Sequence, residues 1–154
     1  MSLQNTSIVY AFTDGGCRGN PGPGGWGVLL KYGLHFKELN GFQENTTNNQ
    51  MELMAAIQAF EVLNRASVVH ITTDSQYVKN GVTKWMEGWQ KNGWKTSANQ
   101  PVKNKELWIR LDAAMQGHKV QWFWVKGHSG HPENERVDEL ANLAIDELQM
   151  MRQG

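Results

Sequence analysis

The segment IVYAFTDGGCRGNPGPGGWGVLLKYG, residues 8–33, joins two apolar stretches through a run rich in glycine and proline. Residues 8–14 are apolar, β-branched and aromatic, which predicts a strand that ends at Asp14. Residues 15–27 contain seven glycines and two prolines. Glycine permits backbone conformations and close approaches that a Cβ atom would block. The run is therefore either a long turn between two strands or a loop that lets the backbone approach a polyanion beside Asp14.

A dinucleotide-binding loop is a third interpretation of the glycine run, because GPGGWG at residues 22–27 fits the pattern G-x-G-x-x-G. In that fingerprint the last glycine leads into a helix. Here it is followed by VLLKYG, which is typical of a strand. The dinucleotide interpretation is excluded.

The rest of the chain predicts an α/β fold with a mixed sheet of five strands. Strands are expected at 8–14, 25–33, 34–42, 67–74 and 119–127, and helices at 46–64, in short broken pieces over 75–94, at 103–117 and at 135–148. Three consecutive strands followed by alternating helices and strands favour helices packed on the sheet. The 154 residues suit a single domain over 1–154, with loose ends at 1–7 and about 149–154.

Composition excludes several classes of protein. Cys17 is the single cysteine, so an internal disulfide and a cysteine-based zinc finger are ruled out. Residues 1–14 lack the pattern of a secretory signal, and no run reaches the 18 apolar residues of a membrane span. We expect a cytoplasmic enzyme or binding module.

Charge is unevenly distributed although the formal net charge is zero. The segment from Lys79 to Lys105 contains six lysines and one glutamate, and the segment from Glu133 to Glu147 contains six acids and one arginine. The basic segment either contacts a polyanion or is a solvated lysine face.

Four of the fifteen acids stand out by their context. Asp14 and Asp74 each follow a predicted strand, and Glu52 and Asp138 lie in the first turns of predicted helices. Taken singly, the helical acids could complement a helix dipole and Asp74 could cap a helix. If the strands before Asp14 and Asp74 are neighbours, however, both aspartates reach one sheet edge, and helices that start near this edge could add Glu52 and Asp138. Hard divalent cations would neutralise such a cluster.

Five motifs resemble, in order and spacing, those of the bacterial type 1 ribonucleases H. They are FTDGGCRGNPGPGGWG, TTNNQMELMAAI, TTDSQYVKNGVTKW, GWKTSANQPVKNKELW and WVKGHSGHPENERVDELA, and the resemblance runs from about Ile8 to Ala144. It implies a ribonuclease H-like fold and an endonuclease that hydrolyses the RNA strand of RNA–DNA hybrids. The implied products are 5′-phosphate and 3′-hydroxyl ends. The implied cofactor is a pair of Mg²⁺ ions, with Mn²⁺ as the alternative, and the implied partner is the hybrid, bound by a monomer.

The resemblance also assigns catalytic roles to particular residues. By position, Asp14 would bridge two metal ions, Asp138 would hold the ion that carries the attacking water, and Glu52 with Asp74 would hold the other. His128 matches a catalytic histidine in the loop after the last strand, with a role in proton handling or product release. A zinc pair of His128 and His131 is disfavoured because no cysteine or third histidine stands nearby.

Substrate contacts are implied in three groups. The minor groove of the hybrid would be faced by Cys17, Asn20, Asn48, Asn49 and Gln76; a DNA-strand phosphate would be held by Asn20, Thr47 and Asn104; and a basic protrusion that grips the DNA strand would contain Trp85, Lys91 and Lys95. By this resemblance the glycines of 15–27 serve close approach and a tight turn together. For Trp85 and Trp89, four residues apart on a helix, packing is the alternative to contact.

The sequence departs from the family pattern at a few positions. Gly16 stands where many relatives carry serine, which suggests little change in chemistry. Gln90 and Asn92 interrupt a basic cluster that is often denser, which predicts looser binding and a greater loss of activity with salt. Two rival functions are a non-catalytic hybrid-binding module, which predicts a missing carboxylate, and an exonuclease or DNA-cutting nuclease, which predicts no basic tryptophan-bearing segment.

Overall fold

A five-stranded mixed sheet organises the protein in the computed structural model, which describes residues 8–126 and 130–153. The strands are β1 (Ile8–Cys17), β2 (Gly22–Tyr32), β3 (His35–Thr46), β4 (Val68–Thr73) and β5 (Lys119–Trp124). Their order across the sheet is β3-β2-β1-β4-β5. β1 to β3 pair antiparallel, whereas β4 pairs parallel with both β1 and β5. The predicted mixed sheet of five strands is confirmed.

Five α-helices and one π-helical turn connect and cover the strands in the described residues. They are α1 (Asn48–Glu61), α2 (Gln76–Asn80), the π-turn Gly81–Trp85, α3 (Met86–Lys91), α4 (Lys105–Met115) and α5 (Pro132–Gln153). The run from Gln76 to Lys91 is thus helical throughout and continues past Gly81 and Gly88, whereas short broken pieces were expected over 75–94. None of the helices in this part of the chain is both long and apolar enough to cross a membrane.

Residues 149–153 belong to α5 rather than to the loose end that we expected. The side chains of this last turn have partners elsewhere in the fold. Arg18 Nη1 donates to Gln149 Oε1 at 2.7 Å, and Arg152 Nη2 donates to the carbonyl of Glu44 at 3.2 Å. These contacts hold the end of the helix against the β1–β2 turn and β3.

Side-chain caps determine where two of the helices begin. Thr47 Oγ1 accepts from Gln50 N at 3.2 Å before α1, and Ser75 Oγ accepts from Val78 N at 3.1 Å before α2. Each bond satisfies one of the free N–H groups in a first helical turn. Because Ser75 is the cap, the interpretation of Asp74 as a helix cap is wrong.

The glycine-rich segment is mostly paired strand, contrary to the expectation of a strand end at Asp14 followed by a loop. Asp14, Gly15, Gly16 and Cys17 pair with Gly27, Trp26, Gly25 and Gly24 of β2, so only residues 18–21 form the turn. Helix packing explains Gly15 and Gly25. A Cβ atom on Gly15 would overlap the α1 backbone at Met51, and one on Gly25 would overlap the α5 backbone at Ala141.

Helices α1 and α5 lie on opposite faces of the sheet and close a core on each. On the α1 face, Val28 and Leu30 of β2 join a large cluster of buried residues that includes Ile57 and Trp108. On the other face, Leu29 packs with residues of α5. Successive residues of β2 thus face opposite sides of the sheet, as expected for a strand. The close approaches at Gly15 and Gly25 place both helices beside the end of β1 that carries Asp14.

Candidate active site

Asp14 and Asp74 lie side by side because the parallel register of their strands matches their positions in the sequence. Phe12 of β1 pairs with Thr72 of β4, so the residues two positions later, Asp14 and Asp74, reach the same level of the sheet. Asp14 is itself a strand residue and is only 7% exposed. Asp74 directly follows β4.

Glu52 is brought to these aspartates by the close approach of α1 to β1. The backbone N–H of Gly15 donates to Glu52 Oε1 at 2.6 Å, across the gap that the missing Cβ leaves. Carboxylate oxygens of Asp14, Glu52 and Asp74 all lie within 4.8 Å of one another. The first turn of α1 contains no acidic residue, so the interpretation of Glu52 as a first-turn partner of the helix dipole is wrong.

Asp138 approaches the cluster from α5, on the other face of the sheet. Its carboxyl group is within hydrogen-bonding reach of Asp14 and lines the same open pocket as the three clustered acids. Asn142 Nδ2 donates to the Asp138 carbonyl at 3.0 Å, one turn further along the helix. The structure therefore brings together all four acids that the sequence singled out, with Asp14 at the centre.

The pKa values of the buried acids show that the cluster resists full ionisation. Burial first, and then the charges of Glu52 and Asp74, raise the pKa of Asp14 to about 10. Burial, followed by the charge of Asp74, raises the pKa of Glu52 to about 8. Without cations, the cluster therefore keeps protons at neutral pH that isolated carboxyl groups would lose.

This donor set fits a hard divalent cation. The three clustered side chains offer oxygen ligands only, they are close enough to share an ion, and their pocket is open to solvent. Mg²⁺ prefers carboxylate oxygens and retains several waters, which an open pocket allows. A bound cation would also relieve the repulsion that raises these pKa values.

Three residues expected to face the minor groove border the carboxylate pocket: Asn48, Asn49 and Gln76. Cys17 and Asn20 lie in the adjoining β1–β2 hairpin and are tied to the start of α1. Asn48 Oδ1 accepts from Cys17 N at 2.9 Å, and Asn20 Oδ1 accepts from Asn48 N at 3.1 Å. The hairpin and α1 therefore present these side chains as one rigid surface.

Arg18 fastens the other side of the same hairpin to α5. Its guanidinium pairs with Asp146 at 2.8 Å and donates to Asn142 Oδ1 at 3.2 Å. Since Asn142 also bonds to Asp138, the hairpin turn and this carboxylate share one set of contacts.

Thr47 and Asn104, expected to hold a phosphate, stand at the starts of α1 and α4. Thr47 caps α1 through Gln50 N. The Asn104 side chain makes no capping bond to its own helix and contacts Gln50 and Tyr77 instead. Gln50 therefore contacts both Thr47 and Asn104.

The basic protrusion has an aromatic base and an exposed lysine rim. Trp89 packs between Trp85 and Trp94 with tilted rings, whose centroids are 5.8 and 6.4 Å away, and also contacts Trp108 of the core at 5.3 Å. Trp89 and Trp94 are half-buried, whereas Trp85 is 38% exposed. Packing therefore accounts for Trp89 and Trp94, and Trp85 keeps a surface free for contact.

The lysines of the protrusion point to solvent. Lys91 is 76% exposed in its side chain and pairs with Glu87 at 3.2 Å, and Lys95 is exposed beside Trp85. Such weakly held cations are available for phosphates.

His128 lies outside the described residues, so its predicted catalytic role stays a prediction. His131 is described, and its Nδ1 accepts from Asn134 N at 3.2 Å at the start of α5. This bond resembles a helix cap, with Pro132 as the first helical residue.

Several residues of the site carry no signal in the sequence. Gln50, Tyr77 and Trp124 contact expected site residues, the last by donating from Nε1 to the Asp74 carbonyl at 3.1 Å, and Arg18 bonds to Asn142, which contacts Asp138. Glutamine, tyrosine and arginine are common on any surface, and only the side-chain geometry identifies them here.

Known proteins with the same features were found by sequence and by structure. A family model described as RNase H matches residues 6–146. The ribonuclease H of Hydrogenovibrio crunogenus is 66% identical over 91% of this chain and 97% of its own, and that of Alkalilimnicola ehrlichii is 62% identical over 92% and 97%.

Two solved structures share the fold. LC9-RNase H1, a type 1 RNase H with the type 2 active-site motif, is 35% identical with a TM-score of 0.84, over 92% of this chain and 74% of its own. LC11-RNase H1, solved in complex with an RNA/DNA hybrid, is 27% identical with a TM-score of 0.69, over 92% and 99%. The ribonuclease H-like fold is confirmed, and by the family model and these relatives the chain belongs to the RNase H family.

Proposed function

We propose that the chain is a Mg²⁺-dependent endonuclease that hydrolyses the RNA strand of RNA–DNA hybrids and leaves 5′-phosphate and 3′-hydroxyl ends. The observation that carries this proposal is the cluster of Asp14, Glu52 and Asp74, with oxygens within 4.8 Å of one another in an open pocket that Asp138 also lines. Family membership and the hybrid bound by LC11-RNase H1 support the substrate.

The positions of the carboxylates support different roles for them. Asp14 lies between Glu52 and Asp74 on one side and Asp138 on the other, so it is the group able to serve two adjacent ion sites. Two cations bound there would neutralise the phosphate and align the attacking water with the leaving 3′-oxygen. The strand and helices that hold the acids supply rigid positions, which reduces the reorganisation needed during reaction.

Recognition of the RNA strand is proposed for the surface formed by the hairpin and the start of α1. The oxygen of the Asn48 amide is bonded to Cys17 N, which leaves the Asn48 amide nitrogen as the group able to donate to a ligand. Asn49 and Gln76 add amides at the same pocket. Amide donors and acceptors suit the 2′-hydroxyl groups that distinguish RNA from DNA.

The test is one cleavage assay on three matched duplexes. Labelled RNA–DNA hybrid, duplex RNA and duplex DNA are incubated with and without Mg²⁺, and with Mn²⁺ in place of Mg²⁺. We expect cleavage of the RNA strand of the hybrid alone, at internal positions, and only with a divalent cation. Intact hybrid in the presence of Mg²⁺, or cleavage of duplex DNA, would contradict the proposal.

We also propose that the single domain acts as a monomer. Sedimentation velocity of the purified protein, with and without hybrid, tests this state directly. A concentration-dependent shift to twice the monomer mass would contradict it.

A further inference from the structure

A chain of side-chain hydrogen bonds joins the start of α1 to the start of α4. Thr46 Oγ1 donates to Gln50 Oε1 at 2.8 Å, and Gln50 Nε2 donates to Asn104 Oδ1 at 3.1 Å. Both ends of the Gln50 amide are therefore in use. Thr46 is buried and Gln50 is half-buried, so these bonds are partly shielded from water.

The series of hydrogen bonds continues from Asn104 into the core. Asn104 Nδ2 donates to the Tyr77 hydroxyl at 3.1 Å, and the same hydroxyl accepts from Trp108 Nε1 at 3.0 Å. Trp108 is fully buried, which anchors this end of the chain. The Asn104 amide is thus held from two sides, by Gln50 and by Tyr77.

The backbone of Gln50 holds the second side chain of the expected phosphate site. Gln50 N donates to Thr47 Oγ1 at 3.2 Å, so one lone pair of the Thr47 hydroxyl is used and its hydrogen remains to donate. One residue therefore orients Thr47 through its main chain and Asn104 through its side chain. Asparagine before a helix normally bonds to its own first turn, but Asn104 does not.

We propose that Gln50 is a positioning residue for the bound hybrid: its amide fixes the Asn104 side chain beside Thr47, so that the two hold one phosphate of the DNA strand. The inference rests on the proposed function and assigns a residue that acts through others rather than on the substrate.

A merely structural role for Gln50 is disfavoured by the other contacts between α1 and α4. The two helices pack together, and the end of α1 is joined to the middle of α4 by Glu61 and Arg110, which pair at 2.7 Å. Both helices also contribute buried residues to the core cluster. The Gln50 bridge is therefore not needed to hold the helices together, and its effect falls on the side chains that it orients.

The experiment compares Gln50→Met with Gln58→Met. Gln58 is also half-buried on α1, but it lies two turns further along and contacts Met54. KM and kcat are measured on the normal hybrid and on hybrids in which single DNA-strand phosphates are replaced by uncharged methylphosphonates. In the unaltered protein, we expect the methylphosphonate at one position to raise KM. This position identifies the phosphate that the protein contacts, called the marked phosphate below.

Gln50→Met is expected to raise KM for the normal hybrid about fivefold, as for the loss of one hydrogen bond, with little change in kcat. The extra KM penalty at the marked phosphate should largely disappear, because Asn104 and Thr47 no longer hold that phosphate together. Gln58→Met should keep both the KM and the penalty of the unaltered protein.

An unchanged KM in Gln50→Met, or a full penalty at the marked phosphate, would overturn the proposal. A fall in melting temperature and kcat with the penalty retained would show a structural role and overturn it as well. Should Gln50→Met fail to fold, Thr46→Val takes its place, because it removes only the donor to Gln50 Oε1. The same loss of the KM penalty at the marked phosphate is expected, and a retained penalty would refute the proposal. Failure of the unaltered protein to cleave the hybrid would instead refute the proposed function.

Discussion

Asp14 is the residue on which the active site depends most, because it lies within reach of the three other acids. Its pairing with Gly27 of β2 fixes the position of its backbone in the sheet. A change at Asp14 should therefore affect the chemistry of the site without disturbing the surface that is proposed to bind the hybrid.

Asp14→Asn is expected to abolish cleavage, by about 10³-fold or more, because neutral amide ligands would hold the cations poorly. Hybrid binding should persist, since the hairpin, α1 and the protrusion are unchanged. Single-turnover cleavage and a fluorescence binding titration measure the two properties. Glu106→Gln, an exposed acid in the first turn of α4, is the control and should cleave normally. Retained turnover in Asp14→Asn would remove Asp14 from the mechanism.

The raised pKa of Asp14 also predicts how stability depends on pH without metal. Its pKa is about 10 in the folded protein and about 4 when unfolded. Between these values the folded state holds a proton that the unfolded state lacks, so the free energy of unfolding falls as pH rises. Urea titrations in chelator should show a steeper decline from about pH 5 to about pH 9 for the unaltered protein than for Asp14→Asn.

Asp14→Asn should accordingly be the more stable of the two at the alkaline end of this range. Addition of Mg²⁺ should reduce the difference, because cations then replace the protons of the unaltered cluster. Parallel curves for the two proteins in chelator would show that Asp14 titrates normally in the folded state.

At the scale of elements, two glycines in the helical run 76–91 have opposite surroundings. A Cβ atom on Gly81 would overlap the ring of the buried Trp108, whereas one on Gly88 would meet nothing within 4 Å. Gly81→Ala should therefore destabilise the protein by about 1–3 kcal/mol through overpacking. Gly88→Ala should stabilise it by about 0.5–1 kcal/mol, because alanine favours the helix. Urea unfolding measures both, and equal effects would contradict the packing argument.

The same glycines show which part of the fold could be predicted from the sequence. Strands and helices with regular apolar periods were predicted correctly, and so was the order of the elements. The predictions were wrong where a glycine was expected to interrupt a strand or a helix. Gly15, Gly25 and Gly81 lie inside regular structure because the backbone of α1, the backbone of α5 or the ring of Trp108 occupies the space that a Cβ atom would need. These spatial requirements arise only in the packed fold, so the sequence around each glycine shows no pattern that would reveal them.

The active site, too, could be predicted from the sequence only in part. The four acids could be selected because they follow strands or open helices, and because they match family motifs in order. The residues that orient them, such as Trp124 at the Asp74 carbonyl, come from distant parts of the chain. Their role depends on side-chain distances, which a single sequence does not contain.

For the molecule as a whole, a net charge of zero is the sum of a basic segment over 79–105 and an acidic segment over 133–147. The protrusion carries Lys84, Lys91 and Lys95 on an aromatic base, and the helical run that leads to it begins at Gln76, two residues after Asp74, and is roughly 24 Å long. A duplex seated on the carboxylates could therefore reach the lysines about half a helical turn or more away. Binding should depend on salt although the protein as a whole is neutral.

Neutralising Lys91 and Lys95 together, each by a change to Gln, should raise KM for the hybrid more than it lowers kcat, because these groups lie away from the reacting phosphate. A plot of log binding constant against log salt concentration should become shallower by about one unit for each phosphate that the protrusion no longer neutralises. Lys37→Gln with Lys119→Gln is the matched control, since it removes the same charge near the opposite end of the sheet, where β3 and β5 begin. If both double variants gave the slope of the unaltered protein, the protrusion would not touch the nucleic acid. Equal flattening in both would mean that total charge, rather than a defined contact at the protrusion, controls binding.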